Sequence, residues 1–243
     1  MFVKICGITN EEDALLAVAM GADAVGFNFA PGSSRQIAVN QARDIARRLP
    51  PEVMTVGIFR DEASQRVVEM VNAAGLHAVQ LHGHETPAEG KWIRQRVQFL
   101  IQVFAAGDRM LERVDDYTAA DAIMIDGATP GSGQVFDWVL AEGLPLTRRV
   151  ILAGGLTPDN VGDAVAQVRP WGVDVATGVE REPGRKDASK VMRFINEAKD
   201  AAETYGEVQV DVDAPVDTRA ELPPDEFDEE PLVYDWEEDT SPA

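Results

Sequence analysis

The sequence predicts an α/β fold, a single (β/α)8 barrel (TIM barrel) followed by an acidic C-terminal tail. Three observations predict it. Eight short β-rich runs alternate with helix-patterned segments over residues 1–204, the order of parallel strands joined by right-handed crossovers. The strand runs are apolar almost throughout, as expected where both faces of a strand are covered. Eight such units in about 200 residues fit the lower end of the barrel range. An open doubly wound sheet is the runner-up, but no Gly-x-Gly-x-x-Gly follows the first strand, where a dinucleotide fold would carry it.

The elements follow in order. Residues 2–6 (FVKIC) form a strand that delivers the only cysteine of the chain to its C-terminal tip. Gly7 allows the turn, and Thr9 or Asn10 caps a helix over 11–20. Strand 24–29 leads through a Gly/Ser loop to helix 40–49, and strand 55–59 precedes helix 63–74. Strand 77–81 precedes helix 87–96, and strand 99–104 precedes a short helical segment over 109–117. Strand 122–125 ends at Asp126 and a glycine-rich loop, with a helix over 136–142. Strand 149–152 runs into Gly154-Gly155 and helix 159–168. Strand 173–175 and helix 187–202 close the series.

Composition narrows the function classes. The formal net charge is −20, but residues 205–243 carry −13 of it and the barrel only −7. An acidic surface does not neutralise phosphates, so nucleic acid is not an expected partner. One cysteine allows no internal disulfide and no cysteine-rich metal site, which makes a reducing cytoplasm the expected compartment. No signal-peptide pattern opens the sequence and no apolar run reaches membrane-spanning length. The tail spreads five prolines among its acids from Val208 onward. It lacks the apolar content to offset ordering entropy and is expected to be disordered. Phe227, Leu232, Val233, Tyr234 and Trp236 leave a docking motif open as the alternative. The division is a catalytic barrel over 1–204 and a tail over 205–243, with a monomer as the expected state.

In a barrel, chemistry lies just past the C-terminal ends of the strands. Those positions hold a thiol at Cys6, a guanidinium at Arg35, Gln80 and His82, and the Asp126 carboxylate. Asp126 ends an apolar strand, a desolvated place that suits a proton donor, but starting an Asx-turn before Gly127 is an equal reading. Gly154-Gly155 and Thr177-Gly178 end the last two strands, where barrels bind phosphate on backbone N–H groups. Arg35 either clamps a carboxylate or is a surface charge. His82 either lines the pocket or bonds a loop carbonyl, whereas His77 and His84 look peripheral. No His/Glu/Cys spacing suits zinc and no Walker-type loop is present, so no metal site is expected.

The segments VKICGIT, VGFNFAPGSSR, VGIF, VQLHG, Asp126–GSG–FDW, LAGGLTPDNV and GVDVATGVEREPGRKD resemble the phosphoribosylanthranilate isomerase family of tryptophan biosynthesis. The match runs in order from Val3 to about Asp187, and KICGIT and GVE-x-x-PG-x-KD are its most specific parts. The resemblance implies a barrel and a cofactor-free Amadori rearrangement of a phosphorylated small molecule. It implies Asp126 as general acid and Cys6 as general base. Arg35 would bind the anthranilate carboxylate, and the glycine tips with Thr177 the phosphate. A free thiol, with pKa about 8.5, needs only a modest downward shift for that role. Ala176-Thr177 stands where the family usually has two serines, and Thr177 keeps a hydroxyl. Two alternatives remain. A related aminoaldose-phosphate isomerase of histidine biosynthesis relies on an aspartate at the position of Cys6. The other is a non-catalytic barrel whose tail binds a partner.

Overall fold

The computed structural model describes residues 1–107, 109–127 and 148–205. Eight parallel strands close a barrel in chain order: β1 (Phe2–Ile5), β2 (Ala24–Asn28), β3 (Met54–Phe59), β4 (Ala78–Leu81), β5 (Phe99–Ala105), β6 (Ala122–Asp126), β7 (Arg149–Leu152) and β8 (Gly172–Val175). β1 pairs with β8 to complete the ring, with Lys4 opposite Asp174. Helices α1 (Glu11–Ala19), α2 (Val39–Ala46), α3 (Ser64–Ala74), α4 (Pro87–Arg94), α5 (Val161–Val168) and α6 (Ala188–Tyr205) cover the outside. A 3₁₀ segment over Arg109–Asp116 serves the crossover from β5 to β6. The helix read over 136–142, most of the glycine-rich loop after Asp126 and nearly all of the tail lie outside the described residues.

The strand period of two separates two apolar layers. Val3, Ile5, Val25 and Phe27 face the helices, in one continuous core with helix residues such as Val67, Ile93 and Phe194. Residues of the opposite parity fill the barrel itself: Ala24, Val56, Ala78, Ile101, Met124 and Ile151 form a second cluster. The N-terminal end of this interior is shut by Phe2 stacked on Trp171, ring centroids 4.5 Å apart. Inward parity also places Lys4 and Asp174 inside the barrel, both buried. Continuing it past the strand ends points Cys6, His82 and Asp126 toward the same end.

Local signals behave as their chemistry dictates. Asn10 is the cap of α1: its side chain accepts from the Asp13 amide at 2.9 Å. Thr86 and Glu89 form a capping box at the start of α4. After β8 the chain makes a 3₁₀ turn (Thr177–Val179) and then a small antiparallel hairpin, β9 (Glu180–Glu182) with β10 (Arg185–Lys186). Runs this short carry no legible period, and the turn rests on Gly184 at φ 78°.

Candidate active site

A cavity of about 270 Å³ opens at the C-terminal end of the barrel, and all nine residues singled out in the sequence line it. Cys6 lies one residue beyond β1, its amide donating to the Val175 carbonyl at 2.8 Å, its side chain half-buried. Gly7 follows at φ 75°, and a Cβ there would collide with the Arg35 side chain. The glycine thus serves both the turn and the passage of that arginine across the mouth.

In the free protein the thiol is shifted up rather than down. Burial pushes the Cys6 thiol up, the Lys4 ammonium pulls against that, and the Asp174 carboxylate adds to the rise. Desolvation wins because the sulfur sits above the filled interior rather than in water. Burial also works to lower Lys4, but Asp174 and Cys6 more than offset it and hold the ammonium charged. Lys4 Nζ donates to Asp174 Oδ1 at 2.8 Å. The pair was not recognised in the sequence, although inward parity on β1 and β8 was its signal.

Asp126 ends β6 and is 7% exposed. Of its two readings, the hydrogen bonds show the turn. Oδ1 accepts from the Gly127 amide at 2.8 Å, as an Asx-turn requires, while Oδ2 lies 3.2 Å from His82 Nε2. That approach lacks hydrogen-bond alignment, so His82 Nε2 is a buried polar atom without a hydrogen-bond partner, as is Gln80 Oε1. Unpaired buried polar atoms cost about 1–3 kcal/mol each, which a polar ligand in the cavity would recover. Asn28, given no role in the sequence, also lines the cavity. It accepts from the Ala30 amide at 2.9 Å and donates to Ser33 Oγ at 3.1 Å. Ser33 Oγ in turn accepts from the Arg35 amide at 3.1 Å. Asn28 therefore shapes the loop that presents Arg35.

Arg35 is not a free surface charge. Its Nε and Nη2 donate to the two Glu180 oxygens at 2.8 and 2.7 Å, and Nη2 also reaches Thr177 Oγ1 at 3.0 Å. Glu180 accepts a further bond from Lys186 Nζ at 3.0 Å. Lys186 also donates to the carbonyls of Cys6 (2.6 Å) and Ala176 (3.1 Å), fastening the tips of β1 and β8 together. Glu180 and Lys186 belong to the GVE-x-x-PG-x-KD motif, but their partners lie across the barrel mouth and only folding reveals them.

Burial works to raise Glu180, but Arg35 and Lys186 more than offset it and hold the carboxyl below the usual range. A lowered folded-state pKa stabilises the fold above the unfolded value, near 4.3, and that stabilisation fades as pH falls through the folded one. Glu180→Gln is therefore expected to lose stability in urea unfolding at pH 7. Its gap to wild type should narrow steadily below about pH 4. A gap independent of pH would refute the ion-pair account.

The far wall of the cavity is largely backbone. Gly154 and Gly155 sit at φ 81° and 68°. A Cβ on Gly154 would stand 2.8 Å from Gly127 Cα and 2.9 Å from Asp126 Oδ1, and one on Gly178 would strike the Leu156 carbonyl. The loops after β6, β7 and β8 thus interlock at distances that only glycine permits. Among the described residues no lysine lines the cavity, and Arg35 is its only arginine. Among the described residues no cluster of three His, Cys, Asp or Glu side chains suits a metal ion. Nor is any described helix long and apolar enough to cross a membrane.

Comparison with known proteins agrees with this geometry over the whole barrel. Residues 3–197 match the family model described as N-(5'phosphoribosyl)anthranilate (PRA) isomerase. The chain is 49% identical over 203 residues to the N-(5'-phosphoribosyl)anthranilate isomerase of Desulforudis audaxviator, covering 82% of this chain and 98% of that one. The structure is similar to phosphoribosyl anthranilate isomerase from Thermus thermophilus, with TM-score 0.77 and 42% identity over 82% of this chain and 99% of that one. It is also similar to a phosphoribosyl anthranilate isomerase solved in complex with reduced 1-(o-carboxyphenylamino)-1-deoxyribulose 5-phosphate, with TM-score 0.74 and 41% identity over 82% and 99% of the two chains. The chain therefore belongs to the phosphoribosylanthranilate isomerase family, enzymes of tryptophan biosynthesis built on a (β/α)8 barrel.

Proposed function

We propose that this isomerase works with Asp126 as general acid and Cys6 as general base. The observation that supports the assignment is the convergence of the Cys6 thiol, the strand-end Asp126 carboxylate and Arg35 on one cavity, together with the glycine tips of the loops after β7 and β8. The substrate is N-(5-phosphoribosyl)anthranilate, and the product 1-(2-carboxyphenylamino)-1-deoxyribulose 5-phosphate. Asp126, in its protonated form, delivers a proton to the furanose ring oxygen, and the C1′–O bond opens to an iminium. The Cys6 thiolate removes the C2′ proton, its electron pair quenches the iminium, and the enolamine tautomerises to the aminoketose. C1′ is reduced as C2′ is oxidised, so the electrons balance within the substrate. Before ring opening the thiol is held protonated by its surroundings; the iminium supplies the nearby positive charge that favours thiolate.

The substrate carboxylate falls to Arg35, whose Nη1 edge is not engaged by Glu180. The phosphate falls to the backbone of Gly154, Gly155, Thr177 and Gly178, with Gln80 and His82 offering their unpaired atoms to the sugar. The barrel over 1–204 carries this chemistry in the cytoplasm, and the tail is accessory. The test is the fluorescence decay of freshly prepared phosphoribosylanthranilate. Rapid turnover is expected from the full chain and equally from residues 1–204. No decay with folded protein, but turnover of the histidine-pathway aminoaldose phosphate, would assign it to the sister reaction instead. That reading is disfavoured by the thiol at the β1 tip.

A further inference from the structure

We propose that Lys4 is a positioning residue for the Cys6 base, its ammonium held inside the barrel between the Asp174 carboxylate and the Cys6 sulfur so that the thiolate forms already paired. The proposal rests on the assignment of Cys6 as the base. Three observations carry it. Lys4 has no exposed surface and so contributes nothing to solubility, while burying an ammonium is costly unless something charged answers it. Its Nζ bonds Asp174 Oδ1 at 2.8 Å. A Cβ placed on Gly26, in the neighbouring strand, would stand 3.0 Å from Lys4 Nζ and 3.1 Å from Cys6 Sγ. Ammonium and sulfur therefore share one small space, kept open by the missing side chain of Gly26.

The other charged groups around the thiol do not supply this. Arg35, from the loop after β2, is engaged by Glu180. Lys186, from β10, also favours the thiolate but less than Lys4 does, its donors being spent on Glu180 and on the carbonyls of Cys6 and Ala176. Asp174, from β8, opposes thiolate formation, and Asp126 faces His82 at the opposite side of the mouth. Lys4 is the cation that shares with the sulfur the space over Gly26. It stays protonated throughout, and the proton leaving Cys6 passes to solvent through the open end of the cavity.

Cys6 is the only cysteine of the 243 residues, so alkylation by iodoacetamide followed across pH reads its thiolate fraction without ambiguity. In Lys4→Met the alkylation midpoint is expected to rise by at least about one pH unit, a tenfold slower reaction at pH below both midpoints. Asp174→Asn should move the midpoint in the opposite direction, because it removes the anion that opposes the thiolate. The double variant Lys4→Met/Asp174→Asn removes the buried pair together and keeps the test valid if a single variant does not fold. Its midpoint should lie above that of wild type. Unchanged midpoints in folded variants, or shifts of the same sign in Lys4→Met and Asp174→Asn, would overturn the proposal. Loss of the base assignment would show separately, as wild-type turnover by Cys6→Ser alongside these same shifts.

Discussion

Replacing Cys6 by serine is expected to leave the fold intact and to lower turnover of phosphoribosylanthranilate by about 10²–10⁴-fold, the usual contribution of a positioned general base. The hydroxyl fills the same half-buried place at the β1 tip, but it cannot ionise near neutrality. Asp126→Asn should cost a similar factor for a different reason. Its amide can still accept from Gly127, preserving the turn, but has no proton to give to the ring oxygen. The substrate carboxylate and phosphate contacts are untouched in either variant, so KM should change little while kcat falls. Turnover is read from the fluorescence decay, and circular dichroism with thermal melting controls for the fold. Near wild-type kcat in Cys6→Ser would remove the base assignment, and the same result in Asp126→Asn would remove the acid.

Gly154→Ala should damage both stability and turnover. The residue sits at φ 81°, where an L side chain costs roughly 1–2 kcal/mol. The added Cβ also meets Gly127 Cα at 2.8 Å and Asp126 Oδ1 at 2.9 Å, with the Gly127 amide nearer still. Backbone cannot give way as a flexible side chain tip can, so the acid and the loop after β6 must move. A lowered Tm is expected together with a kcat reduced more than tenfold, since displacement of about 1 Å at the chemistry costs on the order of 10²-fold. Gly75→Ala is the control. That glycine ends α3 at φ 64° with no atom within 4 Å of the added Cβ. It should lose about 1 kcal/mol of stability and no activity. Equal effects from the two substitutions would show that Gly154 matters only as a turn residue.

How the site was read from the sequence follows from where each signal resides. Cys6, Asp126, Gly154 and Gly178 are strand-tip residues, and strand order alone brings strand tips to one end of a closed barrel. The sequence leaves Arg35 open between a clamp and a surface charge, since a guanidinium in a loop declares nothing about its partners. Glu180, 145 residues away, shows only that it is not a free surface charge. Asn28 gives no signal in the sequence because its work is local loop shaping, at the end of an otherwise apolar strand. The hairpin of β9 and β10 was too short to show a period, yet its Glu180 and Lys186 bind Arg35 and fasten the tips of β1 and β8.

By its own pattern the chain determines the eight-fold alternation of strand and helix, the closed parallel barrel and the end at which chemistry collects. These depend on period, apolar content and chain order, which are properties of neighbouring residues. Tertiary structure alone decided the electrostatic state of the site. Whether Cys6 lies above or below its ordinary pKa depends on burial against the opposing charges of Lys4 and Asp174, and Lys4 meets Asp174 only because β8 closes onto β1. Coulomb and desolvation energies turn on distances of a few ångströms between groups 170 residues apart, and such distances exist only once the barrel has closed.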